Sequence, residues 1–230
     1  MVEVIQIDDD ITEIKTKNVV LIGKTGNGKS STGNSILGSK TFKSNPTSCV
    51  TSSTEGGTTV KLPNGCHLNV IDTPGLFGLQ LESKTTVKEI ARCMELAKNE
   101  IHAFILVLTV RSRFSREEAD SFEILKVVFG EKIVNRLIVV FTGGDELYEN
   151  NQTLEDYLSH ECPQPLQEIL KSCGNRVVLF DNRTKNEIKQ KEQLQKLLSL
   201  LDNVIKFNEG KAYCSDVSAY AEKKVMDLYL

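Results

Sequence analysis

The chain has 230 residues, 40% hydrophobic and 26% charged, with a formal net charge of −3. That length fits one ordinary domain with a modest extension, and the composition is that of a globular protein. The near-neutral charge gives no electrostatic case for nucleic-acid binding, which is not expected, although clustering of charge leaves a local patch open. The six cysteines, at 49, 66, 93, 162, 173 and 214, form no CxxC pair and no zinc spacing. They read as free thiols of a reducing compartment. The acidic N-terminus, MVEVIQIDDDITEIK, lacks the basic-then-apolar layout of a secretory leader, and the longest apolar run, 103–110, is too short to span a bilayer. The expected location is cytoplasmic, with indirect membrane association at the cytosolic face of an organelle left open.

Residues 1–16 read as a flexible polar segment. Residues 19–22 are apolar and ended by glycine, the pattern of a buried strand. A helix is expected over 30–37, with Gly38 as its C-cap. Residues 43–56 are rich in Ser and Thr, lack hydrophobic period, and predict a long mobile loop. Strands at 58–62 and 66–71 flank Pro63-Asn64-Gly65, where Asn-Gly favours a tight hairpin turn. A helix over 86–99 and a buried strand at 104–108 follow. Ser115 and Glu118 have the spacing of a capping box that opens a helix to about residue 129.

Another buried strand is expected at 137–141. Helical sequence over 153–172 is interrupted at Pro163 and Pro165, and 177–180 reads as a strand. Leu194, Leu197, Leu198, Leu201, Val204 and Ile205 mark one face of a long last helix. Val217, Tyr220, Ala221, Val225 and Leu228 suggest a short tail helix. Strands alternating with helices imply an α/β fold: a mainly parallel central sheet flanked by helices, with ligands at the carboxyl ends of the strands. The expected domains are 1–16, a flexible segment; 17–207, the α/β domain; and 208–230, a helical extension.

The strongest chemical signal is Gly23-Lys24-Thr25-Gly26-Asn27-Gly28-Lys29-Ser30. It fits G-x4-G-K-S and sits between a strand and a helix, as the motif requires. Glycines let successive N–H groups point at one anion, and the helix start adds partial positive charge. Lys29 is expected on the β- and γ-phosphates, the Ser30 hydroxyl on Mg2+, and Ser31 beside them. Asp72-Thr73-Pro74-Gly75 closes a strand. Asp72 there suits the magnesium shell, and Gly75 lets its N–H approach the γ-phosphate. Taken alone, this tetrapeptide is equally a simple turn.

Thr142-Gly143-Gly144-Asp145 follows the strand at 137–141. The Asp145 carboxylate suits the N1–H and 2-amino donors of guanine, which adenine lacks, and Thr142 lies on the same loop. Asn182, after the strand at 177–180, is placed to touch base or ribose. An ordinary loop and a turn residue are the alternatives at these two places.

Together these motifs resemble the immune-associated nucleotide-binding GTPases, the GIMAP-like group, particularly its plant members. The matching stretches are VVLIGKTGNGKSSTGNSILG, LNVIDTPGLFG, HAFILVLTVRSRFSREE, IVVFTGGDEL and VVLFDNRTK, across roughly 17–207. The resemblance implies a three-layer P-loop GTPase domain related to septins and chloroplast import receptors, with GTP/GDP and Mg2+ as ligands. It also implies nucleotide-dependent homodimers or homo-oligomers formed across the nucleotide face. The resemblance further implies that relatives often carry a C-terminal coiled coil, lipid signal or membrane helix; none is expected within residues 208–230, and membrane anchorage is left open.

Two positions depart from common GTPase patterns. Gly143 stands where a lysine packs over the base, and Leu76 stands where Ras-like proteins have the glutamine that orients water. Hydrolysis then needs another group or a partner. Some relatives use an arginine across a dimer, and within Arg111-Ser112-Arg113-Phe114-Ser115 the best match is Arg113, whose bland alternative is an exposed loop arginine. The magnesium-sensing threonine of the mobile loop is assigned first to Thr51 and second to Thr54. The expected function is a GTP-controlled switch with slow or partner-assisted hydrolysis. A non-hydrolysing GTP-gated scaffold is the alternative. A P-loop kinase is the remote one, disfavoured because no basic lid is evident.

Overall fold

The computed structural model describes residues 14–43, 55–73, 84–160 and 162–213. Its centre is a six-stranded sheet in the order β2-β3-β1-β4-β5-β6. The strands are β1 (Thr16–Ile22), β2 (Glu55–Lys61), β3 (His67–Asp72), β4 (Ala103–Thr109), β5 (Leu137–Thr142) and β6 (Val177–Phe180). All neighbours run parallel except the hairpin of β2 and β3. The helices are α1 (Lys29–Leu37), α2 (Lys84–Leu96), α3 (Arg116–Phe129), α4 (Gly144–Glu149), α5 (Leu154–His160), α6 (Gln164–Ser172) and α7 (Glu187–Phe207).

Alternation along the strands makes three layers. Val20 and Ile22 of β1, with Phe104, Leu106 and Leu108 of β4, face a cluster built from α2 to α6. Val19, Leu21, Ile105 and Val107 face the opposite way, onto Ile36 of α1 and Leu197, Leu201 and Val204 of α7. Side chains buried on both faces explain why β1, β4 and β5 read as continuous apolar runs rather than alternating ones. The strand order reverses at β1, flanked by β3 and β4. A crevice opens at the carboxyl end of such a strand, and the Gly23–Gly28 loop lies there.

Local signals explain most boundaries. Gly38 caps α1 in the left-handed conformation, with its N–H donating to the Asn34 carbonyl. Ser115 and Glu118 form the full capping box of α3. Several expectations need correction. The helix expected over 86–99 spans Lys84–Leu96, because Lys98 and Asn99 take positive φ. The stretch 153–172 is interrupted at Pro163 as expected, giving α5 and α6, but Pro165 lies inside the first turn of α6 rather than breaking it. β2 begins at Glu55, inside the stretch read as loop, and Thr16, read as flexible, opens β1. The 3-10 turn Glu131–Arg136 and the short α4 were not foreseen. The remainder of the expected mobile loop, and the expected tail helix, lie outside the described residues.

Candidate functional site

The loop 23–28 is held from three sides. Gly23, at φ +144°, lies so close to β4 that a Cβ there would sit 2.4 Å from the Val107 carbonyl oxygen. The Asn27 side chain is 5% exposed and donates to the Val107 carbonyl (3.1 Å) and to Glu118 Oε1 (3.0 Å). The Thr142 hydroxyl, at the end of β5, donates to the Asn27 backbone carbonyl at 2.7 Å. Asn27 and Thr142 are thus side-chain braces of the loop. Gly28 caps α1 without a side-chain hydrogen bond, so no capping side chain occupies the first amides of that helix. Such a terminus favours an anion.

Lys29 is buried, and its Nζ donates to the Lys24 carbonyl at 3.2 Å. Burial lowers its pKa to about 8, against the opposing charge of Asp72. Ser30 Oγ donates to Asp72 Oδ2 at 2.5 Å, bringing the two expected magnesium ligands together. Both are hard oxygen donors, the type Mg2+ selects. The Lys24 side chain turns outward and pairs with Glu117 at 2.8 Å, which raises its pKa. Thr25 and Gly26 are exposed at the loop tip, while Ser31 is half-buried on α1.

The loops that follow β5 and β6 (the candidate base loop) pack onto this unit. Asn182 accepts from the Ser35 hydroxyl (2.8 Å) and donates to Thr32 Oγ1 (3.0 Å), so it is anchored on α1. Asp181 accepts from the amides of Arg183 and Thr184, each at 2.9 Å, and so shapes the turn after β6. Asp145 opens α4 and pairs with Arg111 and, at 3.4 Å, with Arg183. Burial raises the Asp145 pKa, but the Arg111 hydrogen bond and charge, a backbone amide and Arg183 outweigh it, and the net shift is downward. Arg113 is exposed on the loop that follows β4. Gly75, Leu76, Thr51 and Thr54 lie outside the described residues.

Sequence reasoning missed Arg111, Arg183, Glu118, Thr32 and Ser35. In sequence, Glu118 shows only its capping role. The glycine at 143 was a usable sign that some other residue must fill that space.

Sheet order, layers and phosphate loop define a three-layer P-loop GTPase, or G-domain, fold. The AIG1 family model matches residues 17–228, and the chain belongs to that family. It is 48% identical over 212 residues to the immune-associated nucleotide-binding protein 9 of Arabidopsis thaliana, covering 92% of this chain and 62% of that protein. It is 45% identical over 213 residues to protein 4 of the same series and organism, covering 92% of this chain and 65% of that one. The chain therefore spans less than two thirds of these relatives' length. Among solved structures, Toc33 from Arabidopsis thaliana in complex with GDP and Mg2+ matches with TM-score 0.57 and 21% identity, over 82% of this chain and 85% of that one. The chloroplast translocon components atToc33 and psToc159, for which dimerisation is described as important for GTPase activity, give a TM-score of 0.61 and 19% identity over 83% and 84%. Both likenesses bear on the fold. No helix among the described residues is long and apolar enough to cross a membrane.

Proposed function

We propose that this chain binds GTP and GDP with Mg2+ and acts as a GTP-controlled switch that dimerises through its nucleotide face. The carrying observation is the phosphate loop: amides at the start of α1, the buried Lys29, and Ser30 against Asp72, all at the topological reversal of the sheet. The amides and Lys29 bind the phosphate tail, and Asp145 reads the guanine edge. When bound, Mg2+ supplies charge neutralisation of the phosphate oxygens, with Ser30 and Asp72 as the residues that would hold it. Asn27 and Thr142 keep phosphate loop and base loop in fixed register.

Hydrolysis is assigned a low intrinsic rate, raised when Arg113 of one copy reaches the γ-phosphate of another. The exposure of Arg113 supports this, as does the dimer-dependent GTPase activity described for the translocon relatives. A second reading, a GTP-gated scaffold with no turnover, is favoured by Leu76 in place of a water-orienting glutamine. Calorimetry with GDP, GTP and ATP, followed by single-turnover hydrolysis across a range of protein concentration, separates these. Binding of guanine nucleotides with a rate that rises with concentration supports the switch. A flat, near-zero rate favours the scaffold, and preference for ATP overturns both.

A further inference from the structure

The base loop lacks the lysine that common GTPases lay over the guanine ring; Gly143 stands there. The space is filled all the same. A Cβ built on Gly143 would lie 2.9 Å from Val110 Cγ2, 3.2 Å from Arg111 Cγ and 3.4 Å from Arg111 Nε. Gly143 has φ +91°, so a side chain is disfavoured there on backbone grounds as well. Strand register puts Arg111 in this place. Thr109 pairs with Thr142, and the Val110 amide donates to the Thr142 carbonyl at 3.0 Å, so the next residue runs alongside the base loop. The Arg111 amide donates to Thr109 Oγ1 at 3.2 Å, which fixes the turn. Gly144 opens the other side: its absent Cβ would lie 3.2 Å from Asp181. The two glycines thus let the loop be gripped between Arg111 and the turn that begins at Asp181.

The Arg111 guanidinium reaches Asp145 Oδ2 with Nη2 and Glu146 Oε2, at 3.1 Å, with Nη1. Arg183 adds a contact at 3.4 Å on the same Asp145 oxygen. Two carboxylates are met by two guanidinium groups at the position assigned to the base edge. We infer that Arg111 is the base-site cation of this protein, taking from the β4–α3 loop the place that common GTPases give to a lysine within the base motif. This rests on the guanine-nucleotide reading above. Its stem lies across Gly143. When guanine takes the Asp145 carboxylate through N1–H and the 2-amino group, the guanidinium leaves Oδ2 and settles on the face of the ring, keeping Glu146. Arginine suits this task because its planar cation stacks on aromatic faces while still donating hydrogen bonds.

The test compares the unsubstituted chain with Arg111→Ala, Arg111→Met and Arg111→Lys. Calorimetry reads GDP and, separately, inorganic pyrophosphate, both with Mg2+. Arg111→Met keeps a stem over Gly143 while removing the charge, so a folding defect in the alanine variant does not end the test. The expected result is roughly a 3- to 30-fold loss of GDP affinity in Ala and Met, with partial recovery in Lys and pyrophosphate affinity unchanged in all. GDP affinity that is unchanged or tighter in Arg111→Met overturns the assignment; tighter binding would make Arg111 a competitor of the base. An equal loss for GDP and pyrophosphate also overturns it, since that is the mark of a general structural role. If the unsubstituted chain binds pyrophosphate but neither GDP nor GTP, the guanine reading fails and takes this assignment with it.

Discussion

Asn27 Nδ2 and Glu118 Oε1 lie 3.0 Å apart, joining residues 91 positions apart in the chain. The other oxygen of the same carboxylate accepts from the amide and hydroxyl of Ser115, each at 2.9 Å. One buried side chain therefore caps α3 and braces the phosphate loop. Glu118→Ala removes both functions and leaves the Asn27 amide short of a partner. A loss of about 1–3 kcal/mol in urea denaturation is expected, together with weaker GDP binding. Asp120→Ala, two residues on and exposed, is expected to be near neutral by the same measurements.

Gly23→Ala tests the approach of the loop to β4. The added methyl would lie 2.4 Å from the Val107 carbonyl oxygen, and φ +144° is unsuited to an L side chain. The obstructing atoms are Val107 backbone, which cannot yield cheaply. A destabilisation of about 3 kcal/mol or more is expected from a denaturant midpoint, well above the usual effect of a surface substitution.

Lys29 carries a pH signature. Burial pulls its folded pKa down to about 8, from the ordinary lysine value of 10.5. The folded value lies below the unfolded one, so the ligand-free fold disfavours the charged amine. That cost is full below about pH 8 and fades as pH rises toward about 10.5. Lys29→Met is therefore expected to stabilise the ligand-free protein at pH 7 by on the order of 2–3 kcal/mol, with the gain vanishing at high pH. The same variant is expected to lose nucleotide binding. In the unsubstituted protein a phosphate tail favours the charged amine. GDP binding at pH 8.5 is expected to take up on the order of half a proton, read by calorimetry in buffers of different ionisation enthalpy. No uptake, or strong binding by Lys29→Met, would contradict the placement of Lys29 on phosphate.

Asp145→Asn exchanges an acceptor for a group that also donates. GTP affinity is expected to fall, and xanthosine triphosphate to gain, because the amide can donate to the 2-oxo group. Competition titrations with the two nucleotides check this. An unchanged preference would remove Asp145 from the base site.

The sheet was legible in the sequence because buried parallel strands leave continuous apolar runs, as in VVLI, AFILVLT and LIVVFT. Gly38 and the Ser115–Glu118 pair announced their caps through local chemistry alone. The phosphate loop was legible for the same reason, since its residue types follow from what an anion needs. What was hidden depends on distant packing. Asn27 reads only as a member of the phosphate loop, and its side-chain bonds to β4 and α3 are invisible in sequence. Asn182 reads as a base or ribose contact, and sequence gives no sign that Ser35 and Thr32 of α1 hold its side chain. Arg111 lies just after β4, but only the β4–β5 register reveals that it lies against Gly143. α4 was missed because six residues leave too little period to read.

The hydrogen bond from Thr142 to the Asn27 carbonyl has a consequence for redesign. The loop proposed to read the ring and the loop proposed to grip the phosphate tail share one mechanical joint. Attempts to change which purine is accepted by altering Thr142 will therefore also change how firmly the other end of the ligand is held, and selectivity and tightness cannot be adjusted independently at that position.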